Sequence, residues 1–139
     1  MRLKAIILGV ACAGLASGGA AAQSCERNFT SQGVPLLTAL TYRAWQAFPK
    51  TTPKRALDNL ARAVAVEGFD NIRVDRALGA ISATQEVTGS GREQTLRVVV
   101  RKEAAGSRVD AVFAVKPGQV APEGATRDAM CRMISAAPR

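Results

Sequence analysis

Apolar side chains recur along this chain with two different periods, and each change of period marks a new element. Leu96, Val98 and Val100 alternate with Arg97, Val99 and Arg101, and Val109, Ala111, Phe113 and Val115 alternate with Arg108, Asp110, Val112, Ala114 and Lys116. A two-residue period is that of strands with one covered face. Glu103 to Ser107, carrying Gly106, reads as the hairpin loop between them. Upstream, Ile72 and Val74 flank Arg73 in a short strand. Arg76-Ala77-Leu78-Gly79 then supplies a turn, and Ala80 to Thr84 forms a second strand with Ile81 and Ala83 inward. Thr88-Gly89-Ser90-Gly91 is the following loop.

The helical period appears twice. Thr52 as N-cap and Pro53 at the first helical position open a helix that runs to about Val66, with Leu57, Leu60, Ala61 and Val64 on one face and Gly68 as its stop. A last helix is capped by Thr126, with Asp128 near its positive end and Met130, Met133 and Ile134 inward. Val34 to Phe48 fits both periods, and Tyr42, Trp45 and Phe48 favour a strand. The segment from Cys25 to Gly33 is polar and reads as irregular. Asn28-Phe29-Thr30 within it matches a glycosylation acceptor but reads more simply as an undecorated loop. The order predicts an α+β fold, a two-layer antiparallel sheet of four to five strands with helices packed on one face. Residues 40–139 form this single domain, 23–39 an N-terminal arm and 1–22 a signal peptide.

Leu57-Asp58-Asn59-Leu60 leading into Gly68-Phe69-Asp70-Asn71-Ile72, followed by Asp75-Arg76 and Gly79-Ala80-Ile81-Ser82-Ala83, resembles a run found in small bacterial envelope proteins with helix-grip or TBP-like domains. Domains of the outer-membrane assembly lipoprotein BamC are among them. The resemblance is best over residues 57–83 and looser over 40–136. It implies a helix-grip α+β fold and an adaptor or assembly role, or an apolar ligand cleft between helix and sheet. The chain departs from that lipoprotein pattern in lacking a convincing lipobox.

The first 22 residues have the three regions of a secretory signal: Arg2 and Lys4, the apolar run from Ala5 to Leu15, and Ala20-Ala21-Ala22 before Gln23. Gly14, Ser17, Gly18 and Gly19 interrupt that run short of a bilayer span of about 20 residues, so the mature chain is expected to have no transmembrane segment. The alternative is a lipoprotein anchored at Cys12, tethered through the small residues that follow it. Cleavage after Ala22 leaves two of the three cysteines, Cys25 and Cys131, in an oxidising compartment. A disulfide between them is the simplest pairing.

Among 139 residues there are 19 Lys and Arg against 11 Asp and Glu, and no histidine. Removing Arg2 and Lys4 leaves 17 basic residues and a net charge of +6. Without histidine, Ser/His/Asp and Cys/His catalysis are excluded. No metal or cofactor motif is present either. Asp70 and Asp75 lack EF-hand companions, and Gly89-Ser90-Gly91 sits between strands, not between a strand and a helix as a phosphate loop would. The chain is therefore expected not to be an enzyme.

If Leu96, Val98, Val109 and Phe113 pack under the helices, the opposite sheet face displays Arg73, Arg97, Val99, Arg101, Arg108, Val112 and Lys116. Cations around an apolar strip suit an acidic envelope protein or an anionic lipid or glycan. Export and the 4% aromatic content disfavour nucleic acid. The expected function is an exported, periplasmic or secreted binding or assembly module. The alternative is a carrier of a small apolar or anionic ligand in a helix-sheet cleft.

Overall fold

Six antiparallel strands and two helices make up the fold in the computed structural model, which describes residues 24–86 and 92–139. The expected signal sequence and cleavage site, Cys12 and the expected loop at Thr88-Gly89-Ser90-Gly91 lie outside the described residues. The strands are β1 (Thr30–Gln32), β2 (Leu40–Phe48), β3 (Asp70–Asp75), β4 (Ala80–Glu86), β5 (Glu93–Glu103) and β6 (Gly106–Val115), with helices α1 (Pro53–Val66) and α2 (Glu123–Ile134). The sheet order is β1-β2-β6-β5-β4-β3. No helix among the described residues is long and apolar enough to cross a membrane.

Both helices cover the same face. Leu40, Tyr42, Ala44 and Phe48 of β2, Val109 to Val115 of β6 at alternate positions, Leu96, Val98 and Val100 of β5, and Ile81 and Ala83 of β4 are buried beneath them. From above, Ala56, Leu57, Leu60 and Val64 of α1 and Met130, Met133 and Ile134 of α2 close the core. Ala61 is only half-buried, and Ala56 takes the core position beside Leu60. The α1 boundaries follow from local chemistry. The Thr52 hydroxyl accepts the Arg55 N–H at 3.3 Å, Pro53 occupies the first position, and Gly68 takes φ +85°, a conformation that ends a helix without a Cβ penalty.

The N-terminal segment is more ordered than its polarity suggests. Cys25–Asn28 is a 3-10 turn, and β1 adds a sixth strand through the pairs Thr30–Arg43 and Gln32–Thr41. All three β1 residues are exposed, so no apolar alternation announces the strand. Backbone pairing holds it, together with the disulfide from Cys25 to Cys131 of α2, whose Cα atoms are 5.5 Å apart. The Asn28 amide donates to the Trp45 carbonyl at 3.0 Å, which gives this asparagine a structural task in the turn.

Two boundaries differ from the sequence reading. Helix α2 begins at Glu123, three residues before Thr126, and Thr126 lies inside its first turns, where its hydroxyl donates to the Pro122 carbonyl at 2.9 Å. Threonine bonds back to the carbonyl four residues earlier as readily as it caps, and sequence does not separate the two. The β5–β6 hairpin turns on Ala104-Ala105, not on Gly106. Ala104 adopts φ +49°, whereas Gly106 is already in β6, where a Cβ would fall 2.1 Å from the Phe48 carbonyl oxygen. The glycine is there because another backbone passes against it.

Candidate functional site

Two surfaces carry chemistry. The first is the sheet face away from the helices. Register places Arg43 of β2, Val112 of β6, Arg97 of β5, Ser82 of β4 and Arg73 of β3 in one cross-strand row. At about 4.8 Å per strand, successive arginines in that row stand roughly 10 Å apart. None of the three is paired with a carboxylate among the described residues. The next row runs Trp45, Asp110, Val99, Ala80 and Asp75, and beyond it Arg108 faces Arg101.

Thus Arg73, Arg97, Val99, Arg101, Arg108 and Val112 share one face, with Lys116 exposed just past the end of β6. They are not equivalent. Asp110 sits between Arg108, at 2.8 Å, and Arg101, at 3.5 Å, and the Arg108 guanidinium lies 3.8 Å over the Trp45 ring. This end of the face is therefore internally compensated, and the uncompensated positive charge is the row through Arg43, Arg97 and Arg73. Arg43 and Trp45 are absent from the binding face predicted above because β2 fits two periods, and cross-strand register is a property of pairing that one strand does not reveal.

The second surface is a cleft between the sheet and the helices, with a volume of 370 Å³. Its walls are mostly apolar: Phe69, Leu96 and Phe113 from the sheet side, Met130 and Met133 from α2, and Val120 from the loop before it. Val120 and Ala125 are exposed at its edge, so it communicates with solvent. The aromatic floor is part of a ladder in which Phe29 stacks on Tyr42, Tyr42 on Phe113, and Phe69 meets Phe113 edge-on at 5.9 Å. The Tyr42 hydroxyl donates to the Ala121 carbonyl at 2.7 Å and so fixes the loop that forms one lip. Burial, and after it the charge of Glu123, pushes the Tyr42 phenol above its usual range, which keeps it protonated as a donor. The opposite lip is held by Arg132 of α2, which donates at 3.0 and 3.2 Å to the carboxylate of Glu67 just past α1.

Polar groups in the cleft are few: Gln85 and Gln94, which are cross-strand partners, Thr126, Glu67 and Glu86. The cleft contains no lysine or arginine among the described residues. No group of three His, Cys, Asp or Glu stands where it would hold a metal among them. Asp75 has a local task, accepting the Leu78 N–H at 2.9 Å in the β3–β4 turn.

No protein-family model matches the chain, and no curated protein matches it in sequence. Among solved structures it is similar to CalU16 from Micromonospora echinospora, with a TM-score of 0.54 and 8% identity over 79% of each chain. Ara h 8.0201 gives a TM-score of 0.48 and 12% identity over 72% of this chain and 95% of that one. The likeness to CalU16 is one of fold. With the sheet and two helices described above, it makes this a helix-grip α+β protein.

Proposed function

We propose that this protein is an exported, non-enzymatic binding module of the bacterial envelope whose helix-sheet cleft holds a small, largely apolar molecule. The cleft carries this reading: 370 Å³ lies within the range of small-ligand sites, and its apolar walls are interrupted by a few convergent polar groups. Export rests on the N-terminal signal pattern, with the Cys25–Cys131 disulfide in keeping with an oxidising compartment. The envelope setting rests on the sequence run at 57–83, which resembles that of small bacterial envelope proteins with helix-grip or TBP-like domains.

Native mass spectrometry of the protein recovered gently from its own envelope fraction tests the cleft. The expected result is a small lipid-like mass on the wild type that is lost from Ala129→Trp, a substitution that fills the cleft from α2. Equal adducts on both, or none on either, would overturn it.

A second reading is favoured by the arginine row. Arg43, Arg97 and Arg73 present uncompensated positive charge at regular spacing, suited to an acidic envelope protein or an anionic lipid surface. Cosedimentation with phosphatidylglycerol vesicles at low salt, lost on Arg43→Glu with Arg97→Glu and absent for phosphatidylcholine, is the expected behaviour. Equal sedimentation of the double variant would remove the row from consideration.

A further inference from the structure

We propose that the side-by-side amides of Gln85 and Gln94 receive the head of an uncharged amphiphile in the cleft, a molecule whose polar end both donates and accepts hydrogen bonds. This rests on the reading of the cleft as a ligand site and names the chemical class it takes.

Gln94 is 94% buried, with only 6% of its surface exposed, and it lines the cleft from the inner face of β5. Its place in the strand is one that Leu96, Val98 and Val100 fill with hydrocarbon further along. A primary amide has two donors and an acceptor to satisfy, and the amide of Gln94 reaches the open cleft, where only what fills the cleft can bond it. Yet the Gln94 side chain has no hydrogen-bond partner among the described residues, and neither has that of Gln85, its direct partner on β4. The β5–β6 pairing begins at Thr95 and Ala114, and Val115, the next residue of β6, is buried and offers no polar side chain. Thr126 donates its hydroxyl hydrogen to the Pro122 carbonyl, and no bond joins it to either glutamine among the described residues. Two amides therefore face the cleft with their bonds open to whatever fills it.

The sign of charge follows from the rest of the lining. Glu67 and Glu86 line the cleft and no Lys or Arg does among the described residues, Arg132 at the lip being paired with Glu67, so an anionic head would be stripped of water beside carboxylates with no free cation to meet it. Glu67 is already engaged by Arg132, which removes the better-buried acid as a partner for a cationic head. An amide or hydroxyl-carbonyl head satisfies both glutamines without burying charge, and the alkyl portion is left for Leu96, Phe113, Met130 and Met133. A plain hydrocarbon would displace water from the two amides and return nothing.

The test is calorimetric titration of the full chain, disulfide intact, with octanamide and with octanoate at pH 8, where octanoate is ionised. The expected result is octanamide binding about tenfold or more tightly. Gln94→Leu should bring octanamide down to the octanoate level without lowering the melting temperature, since it removes an open amide from a buried site. Gln85→Leu should halve the preference on a logarithmic scale, and it provides the comparison if Gln94→Leu does not fold. Octanoate binding as tightly as octanamide, or a preference that survives both substitutions, would overturn the assignment while leaving the cleft a ligand site. Binding of neither compound, with no adduct in native mass spectrometry, would overturn the cleft reading and this one together.

Discussion

The guanidinium of Arg108 lies 3.8 Å over the ring of Trp45 while it also bonds Asp110 on its own strand, so a residue chosen for its charge is held by two neighbours. Stacking, an ion pair and a side chain only 24% exposed make Arg108 part of the sheet, not a free cation on it. Replacing it by alanine should destabilise the fold by about 1 kcal/mol. The emission of Trp45, the single tryptophan, should shift as its covering cation leaves. Arg97→Ala, two strands from Arg43 in the uncompensated row, should change stability little. Equal loss in the two variants would show that the stack contributes nothing.

The disulfide ties the 3-10 turn Cys25–Asn28 to α2 across a sequence separation of 106 residues. In the chain-entropy account, closing so long a loop is worth roughly 4 to 5 kcal/mol. Replacing Cys25 and Cys131 together by serine should therefore lower the denaturation midpoint sharply, and β1, with three exposed residues, should be the first segment to lose amide-exchange protection. Unchanged stability in the double variant would show that β1 pairing and packing of the 3-10 turn suffice without the bond.

Adjacent positions at the start of β6 should respond in opposite directions. Ser107 is buried with a hydroxyl that has no partner among the described residues, so Ser107→Ala should be neutral or stabilise by up to about 1 kcal/mol. Gly106→Ala should destabilise by about 2 kcal/mol or more, because its Cβ would overlap the Phe48 carbonyl and the Pro49 backbone. Chemical denaturation of the two single variants decides it, and similar values for both would contradict this packing.

Asp58 on α1 accepts from Arg76 at 2.6 Å and from Lys54 at 3.0 Å, and these bonds, Arg76 first, hold its carboxyl at about 2. A carboxyl whose folded value lies below its unfolded one stabilises the fold above the unfolded value, and that contribution is lost as pH falls. The wild type should therefore lose stability between about pH 4 and pH 2, and Asp58→Asn should flatten that part of the profile. Melting temperatures across that interval, or the Asp58 carboxyl titration followed by NMR, read the effect. An identical acid limb in both proteins would sink it.

Much of the architecture was legible in the order of residues because it rests on short-range rules. The limits of α1 are written in Thr52, Pro53 and Gly68, which act within a few residues of themselves. The inward faces of β4, β5 and β6 follow from alternation alone. If a signal sequence carrying Cys12 is removed, Cys25 and Cys131 are left with little choice of partner.

What only the tertiary structure decided is whatever depends on neighbours distant in the chain. Register, a matter of pairing across strands, brought Arg43 into line with Arg97 and Arg73 and placed Asp110 where it compensates Arg101 and Arg108. Strand β1 exists through backbone bonds that carry no side-chain signature. The cleft is a volume left between α2 and the sheet, and Gln85 and Gln94, nine positions apart in the chain, become one polar patch only because β4 and β5 pair there. Sequence determines which face a side chain turns to, since that depends on backbone geometry at the residue itself. What stands opposite it depends on how the whole chain closes.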